Sequence, residues 1–206
     1  MTSSQYTISL YNSRKNLIDL LNIQGYDISD YEGFSINEVD AMHTNGQMDM
    51  LLTHRTLPQK AYIKYAKHIR QANLDVFVDD LYYTENVLNK ATDILIIVSD
   101  DEPNECIMSK LEYLFNHDGI FIVIHNIRRL QYNLLNHALV PKTRILTEPE
   151  TKDLFHKYSI KDNTQLPEIS RFDPLALALG MKPGQVCEHV RNSNTALETL
   201  YYRICV

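Results

Sequence analysis

Eight histidines, three cysteines and one dense acidic turn are the side chains of this 206-residue chain that could carry chemistry. Asp100, Asp101, Glu102 and Glu105 crowd oxygen donors of the kind a divalent cation takes. The same carboxylates also favour the start of a helix just beyond Pro103, and a solvated loop is the simpler reading. His117 and His125 straddle an apolar run, but no cysteine or carboxylate stands at ligand spacing to close a metal site around them. Cys106, Cys187 and Cys205 are odd in number and never in Cys-x-x-Cys spacing. Buried thiols are expected, not a disulfide framework or a zinc site. There is no Gly-rich phosphate loop, Gly-x-Ser-x-Gly elbow or His-Glu-x-x-His. A metal-dependent nuclease of the Asp plus Glu-x-Lys type needs its lysine on a strand. The only such triplet, Glu150-Thr151-Lys152, opens a helix pattern, and Lys60 and Lys64 have no acid two positions before them. No catalytic residue, metal or cofactor is expected.

The elements that position these residues alternate between helix and strand patterns. Leu10, Leu17, Leu20 and Leu21 fall at helical spacing over Leu10–Ile23, with Gly25 as a stop. Ser35 and Glu38 form a capping box for a short helix ending near His43, before the Asn45-Gly46 turn. Alternation around Met48, Met50 and Leu52 predicts a strand, as does Ala61–Ala66; Asp79–Asn89 reads as a helix. The runs Ile94–Val98 and Ile120–Ile124 flank a helix over Asn104–Phe115, a β-α-β unit with parallel strands covered on both faces. Ile127–Leu135 is expected to be helical.

At Asn136 the texture changes, because five of the seven prolines lie beyond it. A strand is expected over Thr143–Leu146, a helix over Pro149–Tyr158, and a short helix capped by Asp173 with Pro174 at its first position and Gly180 at its end. Two last strands span Gln185–Arg191 and Leu200–Cys205. A domain boundary near Leu135 follows, which divides the chain into 1–135 and 136–206. The first part carries 11 Lys and Arg against 18 Asp and Glu; the second carries 9 against 8. A free-standing nucleic-acid binder would show a basic face, so work on DNA implies a larger assembly. Arg128-Arg129 and the Lys142/Arg144 pair could touch phosphate or an acidic partner, though exposed basic residues are usually plain surface. No run reaches the roughly 20 apolar residues of a membrane span. The stretch Met1–Tyr11 lacks the pattern of a signal peptide, so a soluble intracellular protein is expected.

Six blocks of the last third stand in fixed order. They are His137-Ala138-Leu139-Val140-Pro141-Lys142, Gln165-Leu166-Pro167-Glu168-Ile169, Asp173-Pro174-Leu175-Ala176, Gly180-Met181-Lys182-Pro183-Gly184-Gln185-Val186, Arg191-Asn192-Ser193-Asn194-Thr195 and Tyr202-Arg203-Ile204-Cys205. Together they closely resemble the assembly domain of the fifth subunit of eukaryotic nuclear RNA polymerases, which is similar to its small archaeal counterpart. The resemblance implies a small α+β two-layer module that docks on the largest polymerase subunit. The positions it marks for partner binding are His137, Pro141, Lys142, Gln165, Pro167, Asp173 and Pro174, then Gly180, Gly184, Arg191, Ser193, Thr195, Tyr202 and Arg203. Two positions depart from the pattern: Thr143 stands where the family usually has a second histidine, and Leu197 where it usually has glycine.

Residues 1–135 resemble the family's eukaryote-type jaw, an α/β domain with a mixed sheet and flanking helices, in pattern only. The loop that lies near downstream DNA in the family has its nearest counterpart at Glu102-Pro103-Asn104-Glu105, so Pro103 and Asn104 are the DNA-proximal candidates. Carboxylates facing phosphates are repelled, so contact with downstream DNA is expected at most through the assembled complex. The resemblance further implies a non-catalytic subunit, with Mg²⁺ and phosphoryl transfer belonging to the two largest subunits. It implies other polymerase subunits as partners and no membrane. The Leu- and Tyr-rich jaw is similar to versions encoded by large cytoplasmic DNA viruses, which implies host cytoplasm and virion; a cellular version would be nuclear. The alternatives are an adaptor using the module outside a polymerase and a nuclease-like jaw, and neither has a positive feature in the sequence.

Overall fold

The computed structural model describes residues 3–206; Met1 and Thr2, which begin the N-terminal stretch read above, lie outside them. The chain divides into two compact units, Met1–Asn133 and Leu134–Val206.

The first unit opens with α1 (Ser3–Gln24), which begins about two turns before the expected Leu10. Leu10, Leu17, Ile18 and Leu21 form its buried stripe. Gly25 then turns the chain at φ +99°, and a Cβ there would sit 2.7 Å from His54 Nε2, so the close approach requires glycine. Before α2 (Ile36–Thr44) the capping box closes in both directions. The Ser35 N–H donates to the Glu38 carboxylate at 2.7 Å, and the Glu38 N–H donates to Ser35 Oγ at 3.4 Å.

The sheet has the order β1 (Met50–Thr53), β2 (Lys60–Ala66), β3 (Ile94–Ser99), β4 (Phe121–Asn126). The β1–β2 pair is antiparallel, and the other two pairs are parallel. Every residue of β3 and β4 is buried, as parallel strands covered on both faces require. Helix α3 (Gln71–Val78) lies between β2 and β3, and α4 (Glu105–Tyr113) between β3 and β4. Both continue into π-helical turns, Asp79–Thr84 and Leu114–Asp118.

Two elements differ from the sequence reading. The helix expected over Asp79–Asn89 starts at Gln71 and its turns end at Thr84. Its N-cap residue, Arg70, makes no capping bond with its side chain, so the start carries no local signal. Burial of Leu74 and Val78 along one face fixes the helix instead, and Asn86 at φ +50° closes the region. The helix expected over Ile127–Leu135 is replaced by two short 3₁₀ turns, Arg129–Gln131 and Leu134–Asn136. Gln131 explains part of this. Its side-chain amide donates to the Ile127 carbonyl at 2.7 Å, the acceptor that the residue's own backbone N–H would take in a helix, and also to Ser9 O at 3.0 Å.

The second unit is built on a sheet of order β5 (Lys142–Ile145), β7 (Val186–Ser193), β8 (Leu197–Cys205), β6 (Glu168–Ile169). Strand β7 is antiparallel to β5 and β8, and β6 is parallel to β8. Leu146, Val186 and Ile204 pack with Leu154 of α5 (Glu148–Lys157) on one face. On the other, Ile169, Cys187 and Cys205 pack with Ala176 of α6 (Pro174–Leu179). Helices therefore cover both faces, and the unit has one layer more than the two-layer reading. The difference arises because Ile145 and Cys187 face α6 while their neighbours Leu146 and Val186 face α5, so both faces of the strands carry apolar residues.

Candidate functional site

The marked residues of the second unit mostly shape its backbone. Pro141 and Pro167 stand at the entries to β5 and β6, and the Pro167 carbonyl accepts from the Ile204 N–H at 2.9 Å. Beyond Pro141, Lys142 pairs with Val190 and is exposed; before it, His137 Nδ1 accepts from the Leu139 N–H at 3.2 Å. Gln165 Oε1 accepts from the Lys161 N–H at 2.7 Å and closes a loop. Asp173 caps α6 by accepting from the Leu175 N–H at 2.9 Å, Pro174 follows at the first helical position, and Gly180 ends the helix at φ +64°. Gly184, at φ +88°, donates its N–H to the Cys205 carbonyl at 2.9 Å. Arg203 donates through Nε at 3.1 Å and Nη2 at 2.6 Å to the Glu168 carbonyl, tying the two-residue strand β6 to β8.

The remaining positions gather at the β7–β8 hairpin. Ser193 Oγ accepts from the Thr195 and Ala196 N–H groups, each at 3.3 Å, and shapes the turn. The Arg191 guanidinium lies 3.9 Å from the centre of the Tyr201 ring. Tyr202 projects to the α5 face, where burial and then the neighbouring Glu188 push its pKa up to about 12.

On strands β5 and β7 lies a largely buried polar chain that the sequence did not reveal as a unit. The Thr143 hydroxyl donates to Pro141 O at 2.9 Å, so its oxygen receives the Nδ1–H of His189 at 2.8 Å. The other ring nitrogen, Nε2, is then the acceptor facing Cys187 Sγ at 3.3 Å. Burial lowers the His189 pKa, with the Arg191 and Arg203 charges acting in the same direction, while burial raises that of Cys187. Thr143, where the family resemblance leads one to expect histidine, is thus a hydrogen-bonding partner of the histidine on the facing strand.

Pro103 and Asn104 lie in the other unit. Asn104 caps α4 by accepting from the Ile107 N–H at 2.9 Å. The adjacent carboxylates are held by separate neighbours: Asp100 accepts from the Tyr6 hydroxyl at 3.2 Å, Asp101 meets His68 at 2.7 Å, and Glu102 pairs with Arg129 at 3.0 Å. His117 stacks on Tyr113, whereas His125 is buried in β4. Among the described residues no group of three or more His, Cys, Asp or Glu could hold a metal, and no helix is long and apolar enough to cross a membrane. All three cysteines are free thiols.

Caps, turns and strand ties, more than reactive groups, are what the marked residues supply, and this arrangement defines a small structural module. Residues 132–205 match the family described as RNA polymerase Rpb5, C-terminal domain. Over 76 residues the chain is 47% identical to the DNA-directed RNA polymerase subunit Rpo5 of Thermococcus celer, covering 37% of this chain and 92% of that subunit. The Rpo5 of Methanococcoides burtonii is 38% identical over 76 residues, 96% of its length. The Dictyostelium discoideum protein named DNA-directed RNA polymerases I, II, and III subunit rpabc1 is 41% identical over 81 residues, 39% of this chain and 41% of that protein. The chain belongs to the RNA polymerase subunit 5 family, and its relatives are subunits of DNA-directed RNA polymerases.

Proposed function

We propose that this chain is a non-catalytic subunit of a multisubunit polymerase, with residues from about Asn136 onward docking on the largest subunit as an assembly domain. Residues 1–135 then form part of the lower jaw near downstream DNA. The observation that carries this reading is that a match of 76 residues covers 92% of an archaeal subunit, beside a family match at 132–205. An additional α/β unit precedes that match, as the jaw precedes the assembly domain in eukaryote-type members. The marked positions from His137 to Arg203 act in docking by holding the module's edges and hairpin in shape, with exposed Lys142, Arg191 and Thr195 available to a partner.

The excess of carboxylates over Lys and Arg in residues 1–135 supports indirect DNA proximity within the assembled enzyme. On the resemblance of its jaw, we place the chain with versions encoded by large cytoplasmic DNA viruses, similar to that of African swine fever virus. It would then serve viral gene transcription in the host cytoplasm and be carried in the virion; a cellular version would act in the nucleus. The test is affinity purification of the tagged full-length chain from its native source, beside a chain lacking 136–206. The full chain should recover the two largest polymerase subunits in near-equal amounts, and the truncated one neither. Full recovery by the truncated chain would refute docking through the second unit.

A further inference from the structure

One side chain of the first unit is out of keeping with its place. Arg14 follows Leu10 by one helical turn on the buried stripe of α1 and is only 4% exposed. Its Nη1 donates to the Met48 carbonyl at 3.2 Å, but its buried Nε–H has no hydrogen-bond partner among the described residues. None of the ion pairs among the described residues includes it. A guanidinium taken out of water without a carboxylate is costly to hold, and burial lowers its pKa accordingly. The neighbours that remain are aromatic: the guanidinium carbon lies 5.9 Å from the Tyr31 ring centre and 5.4 Å from that of Phe34.

Arg14, Tyr31 and Phe34 together line a cavity of about 410 Å³ within this unit. That volume falls in the range of small-molecule sites. Ile18, Ile28 and Val39 give it apolar lining, so it offers one buried cation among aromatic and aliphatic walls. Lys15, Asp19 and Glu32 also line it, but they are exposed, and water screens their fields far more than that of the buried arginine. With Nη1 turned to Met48 and Nε buried out of a ligand's reach, Nη2 is the nitrogen left to donate a charge-assisted hydrogen bond to an acid's oxygen.

We infer that this cavity is a binding site for a small organic acid, whose carboxylate pairs with Arg14 and whose apolar or aromatic body lies against Tyr31 and Phe34. The inference is independent of the docking role of the second unit. Isothermal titration of the full-length protein with 3-phenylpropanoate, its carboxamide and inorganic phosphate tests it. The carboxylate should bind at least tenfold more tightly than either other probe, and chemical shifts of the Tyr31 and Phe34 rings should move on titration. Arg14→Met should abolish the preference for acid over amide. If that variant does not fold, Arg14→Lys, which keeps the charge but replaces the planar guanidinium with a compact, strongly hydrated ammonium, should weaken the acid at least tenfold. Equal binding of acid and amide, no binding of the acid at 10 mM (about the weakest affinity worth assigning to a site), or an unchanged preference in a folded variant would overturn the assignment.

Discussion

The two units are stabilised in different ways. In the first, β3 and β4 are buried along their whole length, with Ile, Leu, Val and Phe filling all but the last one or two positions, and pattern and volume carry the fold. The second divides its interior between two small clusters of five buried residues each, one per sheet face. A thin module has little burial to spare, so it depends on positions that accept few residue types: a capping Asp173, left-handed Gly180 and Gly184, and an Arg203 that holds an edge strand. Apolar cores tolerate exchange of one aliphatic side chain for another, whereas caps and left-handed turns do not. This accounts for a family match that spans 132–205 and stops short of the first unit.

The largest effect expected from this contrast is a core truncation in the first unit. Ile97 is fully buried in β3, so Ile97→Ala should cost about 4 kcal/mol, and Ile97→Val only about 1 kcal/mol. Urea titration followed by hydrogen exchange resolves peptides of each unit and would read both values. If Ile97→Ala proved milder than a turn glycine substitution in the second unit, the contrast would fail.

Next in size is a pH effect that sharpens it. Burial, with Arg129 adding in the same direction, pushes the His125 pKa from 6.5 down to about 4. Above pH 6.5 the ring is neutral whether folded or not. As pH falls from 6.5 to 4 the unfolded chain takes up a proton that the folded chain refuses, so stability is lost. The loss amounts to about 3 kcal/mol at about 1.4 kcal/mol per pH unit. His189 acts in the same direction in the second unit. Lowered carboxylates such as Glu150 contribute mainly below pH 5, so the slope between pH 6.5 and 5 belongs to the histidines. His125→Gln should flatten that slope in peptides of the first unit and leave those of the second unchanged.

Turn glycines give the third test. A Cβ on Gly184 would meet no atom within 4 Å, so Gly184→Ala carries a backbone penalty alone, about 1–2 kcal/mol. A neutral result in a denaturant titration would show that the second unit relies on this φ less than its small core suggests.

What was legible in the sequence follows the same division. Continuous apolar runs announced β3 and β4, and local chemistry announced the caps at Ser35 and Asp173, because each signal lies within a few residues. The start of α3 and the turns at Gln131 depend on contacts that the local sequence does not carry, the latter on a carbonyl 122 positions away. The second unit's marked positions were readable through their family resemblance. The chain of Thr143, His189 and Cys187 was not, since strand pairing brings together residues 46 positions apart. Arg14 could have been noticed as a charge on the leucine stripe of α1, four residues after Leu10, but its orphaned Nε–H is visible only in three dimensions.

The smallest expected effect runs in the opposite direction from the others. Leu197 begins β8 at φ +58°, a left-handed conformation that costs a leucine about 1–2 kcal/mol. Its side chain is 86% exposed, so little burial compensates. Glycine, which the family resemblance leads one to expect at this turn, removes the strain but gains entropy in the unfolded chain worth about 0.4–1 kcal/mol. Leu197→Gly should therefore stabilise the second unit by about 0.5–1 kcal/mol, read as a raised denaturation midpoint at constant slope. Destabilisation would mean that the exposed leucine already has a packing partner in the free chain. A stabilised variant that recovers less polymerase in the affinity purification would place that partner on another subunit, and the strained turn would then be retained for the contact.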